Sequence, residues 1–76
     1  MSNTLDQVRQ IISNTFGIPV EEVTESSSQK TIEDWDSMRQ LMLILELEQE
    51  FNRQFDPEQV EKMTDVATIV EILDKP

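Results

Sequence analysis

The chain has 76 residues, enough for one small domain, and sets sixteen acids against six bases for a net charge of −10. So acidic a surface argues against nucleic acid and anionic membranes and favours basic protein partners, although the same charge also serves plain solubility. With no histidine and no cysteine, the chain lacks Ser-His and Cys-His nucleophiles, disulfides and the common nitrogen and sulfur metal ligands.

The absence of cysteine fits a reducing cytosol. No basic and apolar stretch opens the chain as a signal peptide would. The longest unbroken apolar run, Leu41 to Leu45, is far too short to span a bilayer. The expectation is a cytoplasmic, monomeric, single domain over residues 1–76.

In chain order, Thr4-Leu5-Asp6-Gln7 reads as a Thr-x-x-Gln capping box. Leu5, Val8, Ile11, Ile12 and Phe16 then recur at helical spacing, which predicts a first helix over about 4–16. Gly17, the only glycine, suits the left-handed residue after that helix, and Pro19 cannot continue it. Residues 17–36 form a long connection. Ile18 to Val23 has room for a turn of helix, Thr24 to Thr31 is polar, and Ile32 and Trp35 are its apolar anchors. A connection this long in so small a domain is either functional or a misread element. No strand alternation shows in it, so it is taken as a loop that places Trp35-Asp36-Ser37.

The second helix should run from Ser37 to about Asn52 or Arg53. A short third helix has Asp56 as N-cap, Pro57 at the first position and Gln59 completing the box, with Val60 and Met63 inward. Thr64 is expected to cap a fourth helix, on which Val66, Ile69, Val70 and Leu73 form one stripe with Ile72 at its edge. Asp74-Lys75-Pro76 ends it. The fold class is therefore all-α: a small four-helix bundle, three main helices plus a short third, with a long loop between helices one and two.

Asp36-Ser37 sits where the polar loop meets the most apolar helix. Asp36 is a good N-cap, since its carboxylate can accept first-turn N–H groups. Ser37 is then the first helical residue, its hydroxyl exposed beside orphan N–H donors and partial positive charge that tolerate an anion. Alternatively, Asp36-Ser37 is a cap and nothing more.

Other chemistry finds little support. Asp34 and Asp36 have the spacing that opens a calcium loop, but an EF-hand would then need a glycine at 39 and a glutamate at 45, where Arg39 and Leu45 stand. One glycine cannot make a phosphate-binding loop. Ser37 has only carboxylates nearby in sequence, and the nearest lysine is Lys30 on the loop, so the chain is not expected to be an enzyme.

At 100° per residue, Leu43, Ile44, Leu47 and Phe51 gather on one side of the second helix. Met38, Leu41, Met42 and Leu45 gather nearly opposite, with Arg39, Glu46 and Glu50 as a polar strip between. Two apolar faces mean either full burial, with the second packed under the long loop, or a core face plus a docking face. The docking reading places Met38, Leu41, Met42 and Leu45 near Ser37, with Glu48, Asp56, Glu58 and Glu61 as an acidic rim.

With these residues in view, the chain resembles the acyl carrier protein family, whose modification motif is Asp-Ser-Leu at the start of its second helix. Here the motif reads Asp36-Ser37-Met38. The similarity covers essentially the whole chain: Phe16 to Val23 after the first helix, Leu43 to Phe51 as the acid-rich helix ending in Phe, and Phe55 to Val66 as the short third helix and the start of the fourth. The resemblance implies that Ser37 carries 4′-phosphopantetheine, delivered from coenzyme A by a separate phosphopantetheinyl transferase. It implies acyl or aminoacyl cargo held as thioesters on that arm. It also implies partner enzymes, with basic docking surfaces, that load and transfer the cargo. Asp36 then has a second role, helping to hold magnesium and partner in the transferase complex. Met38 replaces the usual leucine, Asp34 and Trp35 replace the glycine and small residue common in fatty-acid carriers, and Arg39 and Met42 stand at positions that are commonly acidic or polar. These departures point to a discrete carrier for a dedicated pathway, or one related to peptidyl carriers. The alternative is an acidic helical interaction module whose Ser37 is never modified.

Overall fold

The computed structural model describes residues 4–74. The Lys75-Pro76 stop expected after the last helix lies outside them. Within this span the chain forms α1 (Thr4–Phe16), a single 3-10 turn (Val20–Glu22), α2 (Ser37–Phe51), α3 (Pro57–Lys62) and α4 (Val66–Asp74). This is the small all-α bundle that the helical periodicity predicts. Among the described residues no helix is long and apolar enough to cross a membrane.

α1 lies between α2 and α4 and packs on both, while α3 rests on α4. The apolar stripe of α1 buries Val8, Ile11, Ile12 and Phe16 against Leu43, Ile44 and Leu47 of α2 and Val66 and Ile69 of α4. Each such side chain, when fully buried, contributes roughly 1.5–3 kcal/mol by leaving water. Phe51, Val60, Val70, Ile72 and Leu73 are half-buried and complete the rim of this core. α1 ends as expected, at Gly17 with φ of 70°. α2 stops at Phe51, a residue or two before the expected end. Asn52 adopts φ 53° and ψ 49°, and its N–H donates to the Glu48 carbonyl. Asparagine tolerates this left-handed turn better than other non-glycine residues, which explains the early stop.

The long connection is irregular but firmly built. Val23, Ile32 and Trp35 bury their side chains in the core. Arg9 reaches over from α1, its Nε donating to the Val23 carbonyl at 2.6 Å and its Nη2 to the Val20 carbonyl at 3.0 Å. Ser27 is buried, and its Oγ accepts the Thr24 N–H at 2.9 Å. Ser28 and Asp65 form an isolated antiparallel bridge, in which Gln29 N–H donates to the Thr64 carbonyl and Val66 N–H to the Ser27 carbonyl, both at 2.9 Å. The bridge overturns one expectation. Thr64 does not cap α4, because its backbone is committed to the loop. Asp65 caps instead, its Oδ1 accepting the Thr68 N–H at 2.6 Å.

α3 starts as its sequence demands, with Pro57 in its first turn and Gln59 Oε1 accepting the Asp56 N–H at 3.0 Å. Met63, just past its end, is buried. At the far end of the bundle, Arg53 donates through Nη1 to the carbonyls of Ile72 and Leu73, each at 3.1 Å, which satisfies orphan acceptors of α4.

Candidate functional site

Two anchors set the start of α2. On the loop side, Trp35 is 2% exposed and meets Phe16 edge-on, with ring centroids 5.4 Å apart. On the helix side, Asp36 is extended, with φ −102° and ψ −176°, and its Oδ1 accepts the Arg39 N–H at 2.9 Å. The Asp36 carbonyl accepts the Gln40 N–H at 2.8 Å, the first bond of the helix. Ser37 is therefore the first helical residue, and it is exposed. Among the described residues, the N–H groups of Ser37 and Met38 have no hydrogen-bond partner, as expected for a first turn.

The two apolar sides of α2 differ sharply. Leu43 and Leu47 are fully buried and Ile44 nearly so, whereas Met38 is 73% exposed, Leu41 62%, Leu45 59% and Met42 45%. The long loop does not cover these four. By helical rise they extend from beside Ser37 to about 12 Å along α2. On the flank facing α1, Met42 and Leu45 border a shallow surface groove with Ile11, Asn14 and Thr15.

Of the acidic residues singled out from sequence, Asp56, Glu58 and Glu61 are exposed on and before α3. Glu48 is half-buried, and its Oε2 accepts the Phe55 N–H at 3.0 Å, so part of its charge is spent on the α2–α3 connection. Arg39 lies 3.6 Å from Asp34, a partly exposed ion pair of small energetic weight.

One residue of this region escaped sequence reasoning. Gln40 Oε1 accepts the Trp35 indole N–H at 2.6 Å, and its Nε2 donates to the carbonyls of Val60 at 3.1 Å and Met63 at 2.8 Å. The usable signal was Trp35 itself: a buried indole needs an acceptor, and Gln40 is a side chain able to accept in the first turns of the helix that follows.

The site is thus an exposed serine at the start of the longest described helix, beside an uncovered apolar strip. The chain belongs to the phosphopantetheine attachment site family, which it matches over residues 6–73. Domains of this family carry covalently attached 4′-phosphopantetheine, and that is the cofactor of this chain. The start of α2 fits the group. It offers an exposed hydroxyl, first-turn N–H groups able to face a phosphodiester, and flanking side chains that leave the approach open.

Proposed function

We propose that Ser37 is the attachment point and that the domain holds acyl or aminoacyl intermediates and presents them to successive enzymes of a dedicated pathway. The observation that carries this reading is the exposed Ser37 hydroxyl at the first position of α2, directly after the capping Asp36, inside the matched family span. When bound, the arm supplies the thiol on which cargo rides as a thioester, a group the cysteine-free chain itself lacks.

In the transfer, the Ser37 oxygen forms the new O–P bond as the pyrophosphate bond of coenzyme A breaks. The adenine nucleotide leaves with that electron pair, and the serine proton passes to a base on the transferase. In this reading the chain is a substrate of the transferase and of the enzymes that load and transfer cargo, and not a catalyst. Asp36 holds Ser37 at the helix start; one carboxylate oxygen caps the turn and the other is available to a magnesium ion in the transferase complex. Met38, Leu41, Met42 and Leu45 form the gripping surface. Asp56, Glu58, Glu61 and the outer part of Glu48 steer partners with basic docking surfaces toward it. The domain works as a cytoplasmic monomer.

The test is intact mass after incubation with coenzyme A, magnesium and a broad-specificity phosphopantetheinyl transferase. The wild-type chain should gain one 4′-phosphopantetheine and Ser37→Ala none, while the variant keeps the wild-type circular dichroism spectrum. A modified Ser37→Ala protein would sink the assignment. A wild-type chain that stays unmodified would leave the acidic interaction module as the better reading.

A further inference from the structure

The side chain of Gln40 ties together three parts of the molecule that are separate in sequence: the end of the long loop, the first turn of α2 and the end of α3. Its amide makes one acceptor and two donor bonds, with Trp35 and with the carbonyls of Val60 and Met63. The amide orientation is unambiguous, because an indole N–H only donates and a carbonyl only accepts. The Gln40 backbone N–H is bonded to the Asp36 carbonyl at 2.8 Å. One residue thus holds both Trp35 and Asp36, the two residues immediately before Ser37. Val60 of α3 packs partly on the core and Met63 just past its end is buried, and the two amide bonds add a polar link from this end of α3 to α2. Ser37 and Gln40 are three residues apart and share a face of α2. The exposed Ser37 therefore lies one turn from an amide that uses both of its donors and accepts one bond.

We propose that Gln40 is a positioning residue for modification of Ser37: it locks the Trp35-Asp36 approach and the end of α3 into one rigid frame in which the serine meets its transferase. This rests on the reading of Ser37 as the attachment point. Gln40 touches neither the arm nor the reacting atoms. Its effect comes from orientation, for which small misplacements cost rate steeply.

The test compares wild type, Gln40→Leu and Trp35→Phe as apo proteins, at a temperature where circular dichroism shows each folded. Gln40→Leu removes all three side-chain bonds, and Trp35→Phe removes only the indole donor while keeping a ring against Phe16. Trp35 is the only tryptophan, so wild type and Gln40→Leu each give a single indole N–H resonance in the nitrogen–proton correlation spectrum. In Gln40→Leu that resonance should shift and its proton should exchange faster. With the transferase and coenzyme A, kcat/KM for the carrier should fall on the order of tenfold for Gln40→Leu and less for Trp35→Phe. The KM for coenzyme A should be unchanged. A structural role alone would lower the melting temperature but leave the folded fraction reacting at the wild-type rate, and that result for Gln40→Leu overturns the proposal. Should Gln40→Leu fail to fold, wild-type kinetics in Trp35→Phe together with an unshifted Thr64 amide, which shares the peptide group of the Met63 carbonyl, would overturn it equally. A wild-type chain that is never modified defeats the attachment reading instead, and is told apart because the wild-type control fails first.

Discussion

The two apolar sides of α2 have similar composition and opposite fates. Leu43, Ile44 and Leu47 are buried against α1 and the rest of the core, while Met38, Leu41, Met42 and Leu45 remain 45–73% exposed. Hydrophobicity cannot distinguish them, since leucines stand on both sides. What separates them is the geometry of neighbours: α1 covers one side, and the long loop closes over Trp35 and Ile32 without reaching the other. An uncovered apolar strip costs solubility, and it persists here in a chain with net charge −10. Residues 37–45 contain one base and no acid, so the strip begins in the least acidic part of α2 and meets acids only from Glu46 onward. The two sides thus divide the helix between holding the bundle together and, in the function proposed above, meeting partner enzymes.

The buried side should break the fold most readily. Leu47→Ala leaves a cavity in a fully buried site and should cost about 2–5 kcal/mol. A domain of 76 residues has only about 4–11 kcal/mol in total at the usual stability per residue. Urea denaturation should show the midpoint falling sharply, with much of the population unfolded at 37 °C. A midpoint near wild type would mean that the core closes around the missing side chain and that the contrast between the two sides is smaller than their exposures imply.

Much of this arrangement was legible in the sequence, and the part that was not has a common cause. The helices announce themselves through features that lie within a few residues of each other: apolar spacing on α1 and α2, the Asp56-Pro57-Gln59 start of α3, and Gly17 after α1. The position of Ser37 follows from the same local rules. The wiring of the connection does not. Arg9 to Val20 and Val23, Ser27 to Val66, Gln29 to Thr64, and Gln40 to Val60 and Met63 all join residues eleven or more positions apart. Such bonds leave no periodic trace. Thr64 and Asp65 are both fair caps by residue type, and only the bridge to the loop decides between them.

Charge supplies a second, smaller way to separate the two functions of the chain. Sixteen acids on so small a body repel one another, and added salt weakens that repulsion. The melting temperature should rise by roughly a few degrees between low and moderate salt, and again with millimolar magnesium. Calorimetry at several salt concentrations measures this directly. A melting temperature unmoved by either would mean that the acids are already compensated within the fold.

The exposed side gives the smallest effect on stability and the most informative one on function. Leu41 is 62% exposed, so truncation to alanine removes little buried area, and alanine is at least as good a helix former. Leu41→Ala should therefore change stability by no more than about 0.5 kcal/mol. If the strip is where partners grip, the same change removes part of an apolar anchor one turn from Ser37, and modification by the transferase should slow roughly fivefold, the loss of about 1 kcal/mol expected for a central contact residue. Salt helps to assign that loss. Steering by Asp56, Glu58 and Glu61 acts over distance and is screened, whereas an apolar contact is not. The slowing caused by Leu41→Ala should thus persist at high salt, while the acid-dependent part of the wild-type rate fades. If Leu41→Ala instead destabilises the domain as much as Leu47→Ala, and the folded fraction is modified at the wild-type rate, both sides of α2 belong to the core and the strip is no docking surface.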